Sequence, residues 1–231
     1  MPPKSRRQQK PAQKKRILIV DDHPMMRQGL AQLLGSESDL TVCGEAETAR
    51  EAFEKASSLK PDLILVDITL PDKSGLELIK DIHSMQPQIL LLVISMHDES
   101  LYAERVLRAG GRGYIMKQEG GKRLMEAIRQ VLNGQVYVSN NMSAKILEIF
   151  SGRRKDSMSS PVELLSDREF EVFQLIGHGK STRQIASQIH VSAKTVEAHR
   201  VNIKQKLKLQ TAPELIRFAV RWVESSRLTS K

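Results

Sequence analysis

LILVDITLPDKSG, residues 63–75, decides the fold. Four apolar residues run without alternation, the pattern of a strand covered on both faces in a parallel sheet. Asp67 follows at once. Pro71 and Gly75 then mark a loop before an amphipathic stretch over 75–85. The same texture continues on both sides. Apolar runs lie at Ile17–Val20, Leu40–Cys43, Ile89–Ile94 and Gly113–Met116. Amphipathic segments fall near 25–35, 48–58, 99–109 and 120–133. Strands alternating with helices of about ten residues predict βαβ units and a five-stranded, doubly wound parallel sheet over residues 16–133.

In such a sheet the ligand site lies beyond the carboxyl ends of the strands. Asp21 and Asp22 follow the first strand, Asp67 the third, Ser95 ends the fourth, and Lys117 follows the fifth. Three neighbouring carboxylates repel one another and call for a cation, and hard oxygen donors suit Mg²⁺. A cation and a lysine together neutralise the oxygens of a phosphoryl group arriving at an aspartate. A serine hydroxyl there can bond the product. One aspartate after a strand is ordinarily a helix cap. Polar groups at four strand ends are not explained that way.

After residue 150 the strand signal ends. SGRRKDSMSSPV, residues 151–162, is polar and Ser-rich with a proline, and reads as part of a linker over 134–162 that opens with a short helix at 142–150. Ser166-Asp-Arg-Glu169, Ser181-Thr-Arg-Gln184 and Thr211-Ala-Pro-Glu214 are capping-box patterns, and Ser192 can cap one more helix. They predict four short helices over 163–225, with Gly177 and Gly179 separating the first two and a turn at His190-Val191. On the helix over 192–207, Val196, His199, Ile203 and Leu207 recur at an inward spacing. Lys194, Glu197, Val201, Lys204 and Lys208 form the opposite stripe, flanked by Ala198 and Arg200. That stripe suits a major groove: lysines for phosphates, Glu197 for cytosine, Val201 and Ala198 for thymine methyls. Ser192, Thr195 and Lys206 complete the candidate DNA contacts. The inward spacing of His199 marks a structural histidine.

Two resemblances follow from these residues. Asp21-Asp22-His23-Pro24, Asp67-Ile-Thr-Leu-Pro71-Asp-Lys-Ser-Gly75, Ser95 and Tyr114-Ile-Met-Lys117 resemble a bacterial response-regulator receiver domain, a flavodoxin-like α/β fold. The resemblance implies that Asp67 is the phosphoacceptor and that Asp22, Asp67 and the Thr69 carbonyl ligate Mg²⁺, with Asp21 acting through water. It also implies that Lys117 pairs with the phosphoryl group and that Ser95 and Tyr114 are the switch pair. Ser74 and Gly111 depart from the usual pattern, and a glycine at 111 is expected to loosen the turn before the fifth strand. Leu165-Ser-Asp-Arg-Glu169, Gly179, Ile185-Ala186, Val191-Ser192, Thr195-Val196, His199 and Lys206-Leu207 resemble the LuxR-type domain of the NarL/FixJ family, an all-α helix-turn-helix unit. This implies DNA binding through 192–207 and a homodimer through the last helix, where Leu215, Phe218, Ala219 and Trp222 form a stripe. Trp222 suits a core equally well. Together the resemblances imply a two-component transcription regulator phosphorylated by a sensor histidine kinase.

Composition bounds the alternatives. Residues 1–16 carry +7, residues 17–150 carry −5 and residues 151–231 carry +7, which make up the net +9. The basic tail over 1–15, rich in Pro and Gln, reads as a disordered extension. The basic C-terminal part points to a polyanion partner. One cysteine, Cys43, excludes an internal disulfide framework, and it is expected to be a buried packing residue. No secretory or membrane-spanning run is present, so a cytoplasmic setting is expected. An aspartate-nucleophile phosphohydrolase shares the acidic chemistry, but such enzymes usually carry an Asp-x-Asp run after the first strand. A regulator independent of phosphorylation is the other alternative. The opposite charges of the two parts suggest that they dock and mask the 192–207 helix.

Overall fold

The computed structural model describes residues 14–140, 142–144 and 161–228. The expected tail up to residue 13 and most of the short helix expected at 142–150 lie outside them, though residues 142–144 are helical. The first unit comprises β1 (Lys15–Val20), α1 (Pro24–Gly35), β2 (Leu40–Ala46), α2 (Ala49–Leu59), β3 (Leu63–Val66), α3 (Gly75–Met85), β4 (Leu90–Ser95), α4 (Glu99–Arg108), β5 (Gly113–Met116) and α5 (Gly120–Leu132). All strand pairs are parallel, in the order β2-β1-β3-β4-β5. The chain leaves β1 on one side for β2 and returns past it for β3. The crevice this reversal opens, at the carboxyl ends of β1 and β3, is where a ligand site belongs.

Alternate residues of each strand enter opposite cores. Leu18, Val20, Ile64, Val66, Leu91 and Val93 pack under α2, α3 and α4. Ile17, Ile19, Leu63, Leu65, Leu92 and Ile94 pack under α1 and α5. β2 runs three residues beyond the expected Cys43. The register shifts between Ile17 and Leu18, whose partners are Val42 and Gly44, so Cys43 is the extra residue of a bulge. It is only partly buried there, packed on the rim of one core. Gly111 does not loosen its turn. Its N–H donates to the Val106 carbonyl at 2.9 Å, and a Cβ would stand 2.5 Å from Val106 Cγ1, so this glycine permits a close approach.

The second unit holds a 3₁₀ turn at Pro161–Leu164, then α6 (Asp167–Gly177), α7 (Thr182–Gln188), α8 (Ala193–Leu207) and α9 (Ala212–Leu228). The capping boxes at Ser166 and Ser181 form as expected, and Ser192 accepts from the Thr195 N–H. At α9, Thr211 caps the Glu214 N–H, but the Glu214 carboxylate reaches Gln210 N, one residue before the expected partner. Val196, Ile203 and Leu207 are buried and His199 is half-buried, with burial lowering its pKa, in keeping with a neutral structural imidazole. The stripe of Leu215, Phe218, Ala219 and Trp222 packs on α6 within the same chain, with Phe218 and Trp222 only partly buried. Leu215 and Ala219 are fully buried, and Trp222 packs edge-on to Phe170 and Phe173 at 5.4 and 5.6 Å. The cause is α6, whose apolar face needs this cover.

Candidate functional site

The strand ends bring the predicted acidic residues together. Asp21 and Asp67 are almost fully buried, and Asp22 is partly buried beside them. One carboxylate oxygen from each, with a His23 ring nitrogen, lies within 4.8 Å of the others. Lys117 reaches in from the end of β5, its Nζ 2.6 Å from Asp21 Oδ2 and 2.7 Å from Asp67 Oδ2. Two carboxylates therefore share one ammonium. Burial pushes the Asp67 pKa up to about 6, with Asp21 adding to the rise and Lys117 opposing it. Lys117 is raised in turn, since the two carboxylates outweigh its own burial. His23 Nδ1 lies 2.7 Å from Asp22 Oδ1. Three carboxylates against one lysine leave negative charge uncompensated, and the oxygen donors match a hard divalent cation.

Around this cluster lies an open cleft of about 770 Å³, lined by Asp67, Thr69, Ser95, Lys117, Gln188 and His190 among others. Ser95 is buried at the end of β4 and accepts from the His97 N–H at 3.3 Å. The Tyr114 ring already points inward, 1% exposed, with its hydroxyl donating to the His97 carbonyl at 2.8 Å. Burial raises its pKa well above the ordinary value, so it stays a neutral donor.

The α8 surface divides as the spacing predicts, with two exceptions. Ser192, Lys194, Glu197, Ala198 and Val201 are exposed, Val201 at 47%, while Thr195 and Lys204 are half-exposed. Arg200 instead turns toward α7, where it donates to Thr182 Oγ1 at 3.0 Å, and the same hydroxyl donates to Glu197 Oε1 at 2.8 Å. Lys206 points back to α6 and pairs with Glu169 at 2.6 Å. It follows Ile203 by three residues, which places it beside the inner face while it remains exposed.

Residues 17–129 match the response regulator receiver domain family, and residues 163–219 match the luxR family of bacterial regulatory proteins. The oxygen regulatory protein NreC of Staphylococcus carnosus is 35% identical over 210 residues, covering 89% of this chain and 97% of the relative. Its counterpart in Staphylococcus aureus strain MRSA252 is 36% identical over the same lengths. The chain belongs to the LuxR-family response regulators. A LuxR-family two-component response regulator from Aurantimonas is 31% identical, with a TM-score of 0.55 over 60% of this chain and 99% of that one. RcsB of Salmonella enterica, solved bound to the promoter rprA, shares the fold at 24% identity and a TM-score of 0.58, over 90% of this chain and 98% of that one. The family is one of transcription regulators, which sets aside the phosphohydrolase reading.

In this regulator the two units dock, but not as net charge suggested. The contact is made by α6 together with the 3₁₀ turn before it, His190 and α9. Asp167 pairs with Lys80 at 2.6 Å and Arg105 at 3.3 Å. Arg105 also donates to the Val162 and Leu165 carbonyls, and its guanidinium lies 3.9 Å over the Phe170 ring. Phe170 packs edge-on to Tyr102 at 5.3 Å. Glu171, 1% exposed, accepts from Thr69 Oγ1 at 2.9 Å, and that oxygen lies 3.1 Å from His97 Nε2. Burial lowers the His97 pKa to about 4, so the ring is neutral and can donate to Thr69. His190, at φ 54 in the helix-turn-helix turn, places Nε2 2.9 Å from Asp22 Oδ2. Asp167 thus meets receiver cations while His190 meets a receiver acid, so the contacts do not follow the bulk charges. The outer stripe of α8 stays open to solvent, so the expected masking of 192–207 does not occur.

Glu171, His190, Asp167, Arg105, Thr69 Oγ1 and His97 were not singled out as interdomain residues from the sequence. Thr69 and Glu171 are 102 positions apart, and no local spacing marks such a pair. Among the described residues no helix is long and apolar enough to cross a membrane.

Proposed function

We propose that transfer of a phosphoryl group to Asp67 by a sensor histidine kinase controls transcription through α8. The observation that carries this is a buried carboxylate in an open cleft with a lysine ammonium 2.7 Å away and two further carboxylates beside it. An Asp67 oxygen attacks phosphorus while the bond from phosphorus to the donor imidazole nitrogen breaks. Asp22, Asp67 and the Thr69 carbonyl would hold Mg²⁺, with Asp21 supporting it through water. When bound, the ion neutralises charge on the phosphoryl oxygens. Lys117 pairs with the new phosphoryl group, the Ser95 hydroxyl bonds it, and Tyr114 keeps the neighbouring loop in register through the His97 carbonyl.

Purified protein with acetyl phosphate and Mg²⁺ should gain one acid-labile phosphoryl group, seen as a mass increase. Asp67→Asn should gain none, and labelling that persists in that variant would defeat the assignment.

On DNA, the reading assigns the groove contacts to Ser192, Lys194, Thr195, Glu197, Ala198, Val201 and Lys204, with the regulator bound as a homodimer. Lys194→Ala should weaken binding evenly across sequences and reduce the salt slope by about one, as loss of a phosphate contact does. Glu197→Gln should cost about 1–3 kcal/mol at one base position only. Both are read by titrating fluorescent operator variants at several salt concentrations. A flat salt response would count against groove binding.

A further inference from the structure

We propose that His190 and Glu171 of the effector domain plug the acidic pocket, so that a divalent cation and the docked effector domain exclude one another. The proposal rests on the functional reading above and adds a regulatory coupling at the same site. His190 Nε2 lies 2.9 Å from Asp22 Oδ2, one of the two oxygens this carboxylate can offer a cation. Glu171 binds the side chain of Thr69, whose carbonyl belongs to the same proposed ligand set. The plug is formed by the protein's own chain, so its local concentration is fixed and a free cation competes against it.

The interface is built to let go. Gln174 is fully buried in α6, and among the described residues neither its amide nitrogen nor its amide oxygen has a hydrogen-bond partner. The Tyr102 hydroxyl across the contact is also buried without one. Glu171, buried at 1% exposure, is by contrast satisfied by Arg168 at 2.8 Å and by Thr69. Buried polar groups left unsatisfied favour the separated state, where water serves them. Against this stand the Arg105 clamp and the Lys80–Asp167 pair. Such a balance is one that a ligand can tip. Linkage then runs both ways: the cation releases the effector domain, and release raises cation affinity.

The test uses the full chain and Mg²⁺, with affinity measured by titration calorimetry and docking followed by hydrogen exchange over Val162–Gly177. Trp222, the sole tryptophan, packs edge-on to Phe170 and reports the same event by emission. His190→Gly removes the imidazole and keeps the positive φ of the turn. Arg105→Ala and Lys80→Ala loosen docking without touching the acidic residues. All three should bind Mg²⁺ about three- to tenfold more tightly than wild type, because the docked fraction no longer lowers apparent affinity. Mg²⁺ should also lower exchange protection of α6 in wild type. If only His190→Gly gains affinity, the effect is local charge at Asp22 and the coupling is overturned. Equal affinity in all four proteins overturns it too, while leaving the Asp67 reading intact. Failure of Mg²⁺ to bind any of them would overturn that reading and the plug together.

Discussion

Asp67→Asn should raise the unfolding free energy of the metal-free protein by about 3 kcal/mol at pH 8, and the gain should vanish by about pH 4. The Asp67 pKa stands at about 6, above its ordinary 3.8, because burial and the Asp21 charge outweigh Lys117. A carboxyl with a raised folded-state pKa binds its proton more tightly folded than unfolded. Its contribution to stability is present in full below the unfolded pKa and is lost as pH rises through the folded one. Above about pH 6 the ionised Asp67 therefore opposes folding, and an uncharged amide of the same shape removes that cost. Urea titrations of both proteins at pH 4 and pH 8 in the presence of a chelator read the effect directly. With Mg²⁺ added, the order should narrow or reverse, since a cation bound only by the folded wild type stabilises it by mass action. A pH-independent difference between the two proteins would show that the Asp67 charge is not strained.

Gly75→Ala should cost at least about 3 kcal/mol and abolish phosphorylation along with it. Gly75 begins α3, and its N–H donates to the Ile68 carbonyl at 2.7 Å. An added Cβ would lie 2.0 Å from the Asp67 carbonyl oxygen and 2.9 Å from Ile68 Cα. Both clashing groups are backbone, so no side chain can rotate away, and relief requires moving α3 or the loop that carries Asp67. The urea midpoint should fall and the acetyl phosphate label should be lost together. A variant with unchanged midpoint would mean that the loop after β3 yields more easily than its contacts indicate.

The legibility of the fold followed the range of the physics. β5 and α3 match their sequence-based bounds because each is delimited locally, by an apolar run or by a glycine with Ser74 capping the first turn. β2 extends past its apolar run because backbone pairing with β1 continues through the bulge at Cys43. On α8 a period of 3.6 gives the inward set, yet Arg200 and Lys206, expected as DNA contacts, are engaged by Thr182 and Glu169. Periodicity gives an angle around the helix. It does not say that Thr182 and Glu169 wait within reach of a long side chain.

The sequence by itself determined the parallel α/β unit, the convergence of Asp21, Asp22, Asp67, Ser95 and Lys117, and the capped helices with an exposed stripe. Each depends on short-range patterning, or on the rule that strand carboxyl ends share one edge. The tertiary structure alone decided how the two units meet. Which α9 face is core depends on the apolar face of α6, and which charges touch depends on Asp167 and Glu171 lying on one side of a helix opposite Lys80, Arg105 and Thr69. Net charge acts over long distances and is screened, whereas docking is set by a few groups at contact. Through those groups the effector domain reaches the acidic pocket with α8 still open to solvent.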